Sequence, residues 1–418
     1  MRFLYNIFVH FTVIVLKLVA LFSIKIKLFV VGRQEVFQKL KNKINPLQKT
    51  VWIHAASLGE FEQGRPVIEE IKKEYPKHQI LVTFFSPSGY EVRKNYELAD
   101  VVCYLPLDTI ANVKKFIKLV RPSIAIFIKY EIWPNYLIEL KKQNIPTLLV
   151  SGIFRENQIF FKSYGSWMRK SLKAFTSFFV QDETSKNLLN TIGIDEVNIA
   201  GDTRFDRVQK LVEANEKLPF VNDFKNDSYL LVAGSTWLED EEKLVNYINN
   251  IAKENEKFII APHNIKPDEI LRLKNSLQKK TILFTEKEGE NLSGYQVMIV
   301  DTVGILSKIY AYADVAYIGG GYTKSGVHNT LEAATYGLPI VIGPNFKKFK
   351  EVKDLVSLKG CISVDNSDDL SKFLKIMYQD SEARAEKSNI TKNYVIQNLG
   401  ATQKIMQTVK DILSNEKE

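Results

Sequence analysis

Cysteine is almost missing: Cys103 and Cys361 are the only two in 418 residues. They are too few and too far apart for a disulfide framework or a thiolate metal site, which fits a reducing compartment rather than secretion. Histidine is nearly as scarce. His10, His54, His78, His263 and His328 never stand at metal-ligand spacing, and no HExxH or DxD run occurs, so nothing indicates a metal or other cofactor. A GxxxxGK run is also absent, and Gly319-Gly320-Gly321 meets Lys at 324, so neither a P-loop nor a GxGxxG fingerprint is present. Only 20 Gly and 13 Pro, with 25% charged residues, exclude collagen-like and disordered classes. Past residue 24 no stretch is apolar for long enough to cross a bilayer.

The charge that is present is unevenly placed. Net charge is +9, yet residues 1–49 hold nine basic residues against the single acid Glu35, leaving the rest of the chain close to neutral. Such a body is a poor nucleic-acid binder, whereas its N-terminus suits an anionic surface. From Phe3 to Ile24 the only charge is Lys17. The uncharged part is shorter than the roughly 20 residues of a span, so it either lies in the interface or spans with Lys17 snorkelling. A cleavable signal is disfavoured, because Lys17 breaks the apolar region and no small-x-small site follows. A buried core helix is the remaining alternative. The flanking Lys25, Lys27, Arg33 and Lys39 place the following chain on the cytoplasmic side.

After Pro46, short apolar runs alternate with amphipathic stretches. VWIHAAS at 51, ILVTFF at 80, VVCYL at 101, IAIFI at 124, TLLVS at 147 and FFVQ at 178 read as buried parallel strands. A polar stretch near 206–228 interrupts the pattern, which restarts with YLLVAG at 229, FIIAP at 258, VMIV at 297, VAYIGG at 315 and IVIG at 340. Two α/β, doubly wound, Rossmann-like halves follow, with ligands expected at the carboxyl ends of the strands in a central cleft and a hinge near 205–228.

Candidate chemistry sits in loops after strands. His54-Ala55-Ala56-Ser57-Leu58-Gly59-Glu60 closes the first strand, and Pro66 is read as marking the first turn of the next helix. Glu60 could accept a proton from a substrate hydroxyl, or could simply cap a helix. In the second half, Gly319-Gly320-Gly321 ends a strand and His328-Asn329-Thr330-Leu331-Glu332 opens a short helix. That order suits phosphate held by backbone amides, with Glu332 within reach of a ribose. Gly234-Ser235-Thr236 offers further amides and hydroxyls, and Arg204 a cation for a phosphate or carboxylate. His54 reads as a hydrogen-bonded core residue, and Trp133 and Trp167 as packing.

Several motifs recur in an order that resembles the 3-deoxy-D-manno-octulosonic acid (Kdo) transferase family of GT-B glycosyltransferases. They are HAASLGE at 54, TFFSPSGYE at 83, YEIWPN at 130, GDTRFD at 201, AGSTWLEDEE at 233, DTVGILSKIYAYADVAYIGGG at 301 and HNTLEAATYGLPIVIGP at 328. The resemblance implies a membrane-associating segment at 1–45, an acceptor domain at 46–210, a donor domain at 211–400 and a C-terminal helix at 401–418 crossing back to the first domain. It implies inverting transfer of Kdo from CMP-Kdo to the lipid A precursor, at an anionic inner membrane met through the N-terminal segment. By the same likeness Glu60 is the general base, with Ser57, Gly59 and Glu131 on the acceptor side. Arg204, Ser235, Thr236, His263, Gly319, Gly320, His328, Asn329 and Glu332 fall on the donor side. The sequence departs from the commoner pattern at Trp237, Gly321, Val327, Asn345, Arg204 and His263. Another GT-B transferase, a GT-B-like nucleotide-sugar epimerase and a non-catalytic lipid-surface protein are the alternatives.

Overall fold

A computed structural model describes residues 2–214 and 217–415. These divide into two compact units, one made of the residues up to Arg207 together with those from Leu399 onward, the other Val208–Asn398. The hinge expected near 205–228 includes residues 215 and 216, which lie outside the described residues, as do residue 1 of the N-terminal segment and residues 416–418 of the C-terminal one.

In the first unit the apolar runs become β1 (Thr50–Ala55), β2 (Gln79–Phe84), β3 (Val101–Tyr104), β4 (Pro122–Ile128), β5 (Thr147–Gly152), β6 (Ser177–Val180) and β7 (Val197–Ile199). All pair parallel in the order β3-β2-β1-β4-β5-β6-β7. Both faces are covered, as an all-parallel sheet requires. Along β1 the side chains alternate between two cores: Trp52 joins Leu81, Ala125 and Phe127 on one face, while Val51, Ile53 and Ala55 join Ile80, Val82 and Ile126 on the other. The helix Ala401–Asn415 lays Ile405, Met406, Val409 and Leu413 into that second core. Its start is fixed by Asp206, whose carboxylate accepts the N–H groups of Gly400 and Thr402, each at 2.6 Å.

The second unit repeats the design with β8 (Tyr229–Thr236), β9 (Glu256–Pro262), β10 (Thr281–Leu283), β11 (Val297–Ile299), β12 (Val315–Ile318), β13 (Ile340–Ile342) and β14 (Cys361–Ser363). Their order is β10-β11-β9-β8-β12-β13-β14. In each sheet the winding reverses beside its first strand, between β1 and β4 and between β8 and β12. Loops diverge at such a point and leave room for a ligand at the carboxyl edge.

Two expectations change. Pro66 is not in the first turn of its helix but in the middle of Leu58–Glu74. The start is set earlier, by Ser57 and Glu60 in the spacing of a capping box. A proline at the ninth position removes one backbone hydrogen bond, which burial of Phe61, Val67, Ile68 and Ile71 on the same helix offsets. The other correction concerns the N-terminus: the helix Arg2–Val19 has no buried residue, which excludes a core helix. A short helix, Ile24–Val31, and a third, Val36–Lys43, lead from it into β1, with Val36 and Leu40 in the core.

Candidate active site

The carboxyl ends of β1 and β4 are neighbours, so the loops that follow them meet. Glu60, one turn into its helix, turns Oε2 back to accept the N–H of Ala56 at 2.6 Å and of Ser57 at 3.2 Å. The capping alternative is therefore real, and it fixes the carboxylate at the strand end. Glu60 is buried, at 8% exposure. Burial first, and then the charge of Glu131 from the loop after β4, push its carboxyl up to about 7, against the opposing pull of the Ala56 and Ser57 amides and of Lys129. Lys129 sits at a left-handed backbone turn, φ 65°, where the chain leaves β4. A Cβ built at Gly59 would meet nothing within 4 Å, so the space beside the acid is open on that side.

His54 is fully buried in β1. Its Nδ1 lies 2.9 Å from Thr83 Oγ1 and 3.1 Å from the Thr83 carbonyl, while Trp133 Nε1 donates to its Nε2 at 3.0 Å. Because the indole can only donate, Nε2 accepts from it. Glu131 Oε2 stands 3.6 Å from that same Nε2. His54 and Trp133 thus pack together beneath Glu131.

In the second unit a different arrangement forms. Ser235 takes a left-handed φ of 55°, and Thr236 is buried with its hydroxyl donating to Glu241 at 3.2 Å. Trp237 caps the next helix and donates its Nε1–H to His328 Nε2 at 2.9 Å. His263 stacks on both rings, 4.8 Å from Trp237 and 4.3 Å from His328 between centroids. Burial and then the neighbouring His263 hold the His328 imidazole down to about 4, and burial lowers His263 as well. Both rings are neutral near pH 7.

The glycine turn is closed by hydrogen bonds of its own. Gly319 N–H already donates to the Gly234 carbonyl at 2.9 Å and Gly320 N–H to Asp240 Oδ2 at 2.8 Å, so neither amide is available to cradle a phosphate. Their need for glycine is steric: a Cβ at Gly319 would fall 2.4 Å from the Ser235 carbonyl, and one at Gly320, φ 87°, would fall 2.8 Å from the His328 ring. The helix opened by His328 is a single turn, Leu331–Ala334, preceded by Asn329, whose amide donates to Glu332 at 3.0 Å.

Of the residues singled out in the sequence, Ser57, Gly59, Glu60 and Glu131 lie together at the edge of the first sheet. Ser235, Thr236, His263, Gly319, Gly320, His328, Asn329 and Glu332 belong to the second unit. Arg204 belongs to the first unit, where Asp202 accepts from its Nε and Nη2 at 2.8 and 2.6 Å. Asp240 was not singled out. It is fully buried and accepts from Tyr317, Gly320 and Trp237, organising the whole edge of the second sheet. Its position three residues past the helix cap was the available signal. Among the described residues no cluster of three or more His, Cys, Asp or Glu could hold a metal ion.

The family profile described as 3-Deoxy-D-manno-octulosonic-acid transferase (kdotransferase) matches residues 32–207, a stretch that contains Glu60, Glu131 and Arg204. A 3-deoxy-D-manno-octulosonic acid transferase of Haemophilus influenzae is 28% identical over 388 residues, 88% of this chain and 88% of the relative. That of Aquifex aeolicus is 28% identical over 356 residues, 84% of this chain and 92% of the relative. Residues 32–207 of this chain are thus similar to the Kdo transferase family, and relatives of that name match most of its length. The fold of this chain is GT-B-like. It is shared with the crystal structure of UDP-GlcNAc 2-epimerase from Neisseria meningitidis bound to UDP-GlcNAc, at 16% identity and a TM-score of 0.60, covering 87% of this chain and all of that one.

Proposed function

We propose that this protein is a member of the Kdo transferase family that transfers Kdo with inversion from CMP-Kdo to a hydroxyl of the lipid A precursor, at the cytoplasmic face of an anionic inner membrane, and that Glu60 is the general base. The observation that carries the reading is the state of Glu60: a buried carboxyl pushed up to about 7, fixed at the carboxyl end of β1 with open space beside Gly59. A base with that affinity for protons is ionised in part near neutral pH and still basic enough to draw a proton from a hydroxyl. As the acceptor oxygen bonds to the anomeric carbon, its proton passes to Glu60. The bond from that carbon to the phosphate oxygen breaks, and CMP leaves with the electron pair.

Ser57, Gly59 and Glu131 lie beside the base and are assigned to the acceptor side. The nucleotide is assigned to the second unit, to Ser235, Thr236, His263, His328, Asn329 and Glu332. There Gly319 and Gly320 serve by letting the carbonyl of Ser235 and the ring of His328 come close. Arg204, braced by Asp202, is the cation assigned to the departing phosphate, where positive charge stabilises the transition state.

The test is CMP release from CMP-Kdo in detergent with the lipid A precursor, comparing the parent chain with Glu60→Gln and weighing the lipid by mass spectrometry. Acceptor-dependent release that disappears in Glu60→Gln, with the lipid heavier by Kdo in the parent alone, is the expected result. Release retained by the variant would remove Glu60 as base, and no release by the parent would remove the substrate assignment.

A further inference from the structure

The N-terminal segment is tied to the first unit at both of its ends. At the start, Arg2 donates from Nε and Nη2 to Asn135 Oδ1 at 3.2 and 3.1 Å, and Asn135 donates to Asn6 Oδ1 at 2.8 Å. Tyr5 donates its hydroxyl to Asp108 at 2.7 Å, and its ring lies 5.5 Å from that of Trp167. Asp108 is 2% exposed and also accepts the backbone N–H groups of Asn135 and Tyr136, so this is an anchored partner and not a mobile surface acid. Beyond the second helix, Arg33 donates to the carbonyls of Leu105 at 2.9 Å and Phe85 at 2.7 Å, with its guanidinium 3.6 Å above the Phe29 ring.

Phe85 follows β2, Leu105 and Asp108 follow β3, and Asn135 follows β4. All these tethers therefore fall on the carboxyl edge of the sheet, the edge that carries Glu60. Between them, Arg2–Val19 sorts its side chains by face. Ile7, Phe8, Phe11, Ile14, Val15 and Leu18 are exposed, while Tyr5, Asn6, Val9, Val13 and Leu16 are half-buried.

We infer that Arg2–Val19 does not cross the bilayer but lies in its surface, latched at both ends to the catalytic edge of the first unit, with Phe8, Phe11 and Val15 facing the acyl chains. A crossing would carry Arg2 and Tyr5 to the far side, away from Asn135 and Asp108, and would strip the buried Asp108 carboxylate of the Tyr5 hydroxyl. Length does not decide between the two: 18 residues run about 27 Å, close to an apolar core of roughly 30 Å, and the helix is long and apolar enough to cross. The occupant of the exposed face is an anionic lipid surface, chosen by charge: Lys17, Lys25 and Lys27 are all exposed next to the apolar face. In-plane placement would also set the mouth beside Glu60 at headgroup level, where a lipid-borne hydroxyl is found.

This rests on the membrane reading above, and depth measurement separates the two. Single cysteines replacing Phe3, Ile7, Phe8, Val9, Phe11, Val13, Val15 and Leu16 in the full chain, spin-labelled and bound to phosphatidylethanolamine–phosphatidylglycerol vesicles, report depth from relaxation by oxygen against a nickel chelate. Cys103 and Cys361 are buried and take no label. The expected profile oscillates with the helical period, with labels at 8, 11 and 15 about 5–10 Å deep and labels at 9, 13 and 16 shallower. A profile with one maximum near the helix centre and shallow ends would establish a span and overturn the inference while leaving membrane attachment intact. Labels with no depth at any position would overturn both.

Discussion

At the edge of the first sheet, burial keeps a proton on a carboxylic acid; at the edge of the second, it keeps protons off two imidazoles. The same desolvation acts on groups of opposite charge type, and the neighbours reinforce it: Glu131 beside Glu60, His263 beside His328. The consequence is a division of labour. The first edge holds a group that changes charge near neutrality and can carry a proton, while the second holds neutral, stacked, mutually hydrogen-bonded rings that keep their shape and hydrogen-bonding pattern across the same range. On the function proposed above, acid–base chemistry falls to the first and recognition of a planar or polar ligand to the second.

The largest test of that division is Glu60→Gln. The amide keeps an oxygen to accept the Ala56 and Ser57 amides, so the helix start survives, but the base is lost. Acceptor-dependent turnover is expected to fall by about 10²–10⁴, with the apparent KM for the nucleotide sugar unchanged. A KM that rose in step with the fall in kcat would show that the two edges are not separable in this way.

Next comes the second edge itself. His328→Ala removes the acceptor for Trp237 and one face of the His263 stack. An effect of about tenfold on donor KM, worth about 1.4 kcal/mol, is expected with kcat changed much less. If kcat fell by orders of magnitude and KM did not move, His328 would belong to the chemistry and the comparison would fail.

A smaller effect sharpens the first edge. Glu131→Gln removes the second cause of the raised Glu60 pKa and leaves the first, burial. The acid limb of kcat/KM, expected near pH 7, should move down by on the order of half a pH unit, so that the variant loses a smaller fraction of its pH-7 rate than the parent does as the pH falls. An unmoved limb would mean that Glu131 does not act through Glu60.

How much of this was readable beforehand differs between fold and site. Eleven strands announced themselves as apolar runs, and the three that did not, β7, β10 and β14, are each three residues long. All three are edge strands or their only sheet neighbours are on one side, with exposed or half-buried positions among them. Such strands exist because a neighbour offers hydrogen bonds, a tertiary cause that local pattern does not contain. The position of Glu60 after a strand was legible, but spacing left capping and proton transfer both open, and only the family likeness singles it out as a base. The Trp237, His263 and His328 stack was not legible, because Trp237 and His328 stand 91 positions apart and meet only when β8, β9 and β12 lie side by side. The glycine triplet misled for a related reason: its amides look available until Asp240 and Gly234 are brought to them.

The smallest effect is on stability, and here the two edges should differ in sign. Glu60 has a folded pKa of about 7, above its ordinary 4.5, so between those values the folded state holds a proton that the unfolded state has released. Its contribution is greatest at low pH and is lost as pH rises through that window. His328 has a folded pKa of about 4, below its ordinary 6.5, so there the unfolded state takes up the proton first, and stability is lost as pH falls through 6.5 toward 4. The Tm of Glu60→Gln relative to the parent should therefore climb from pH 4.5 to 7, and that of His328→Asn should climb in the opposite direction, each by on the order of a few degrees. Referring each variant to the parent at the same pH cancels the other titrating groups. Two slopes of the same sign would mean that burial does not treat the two edges as opposites, and the assignment of proton transfer to one and recognition to the other would lose its electrostatic basis.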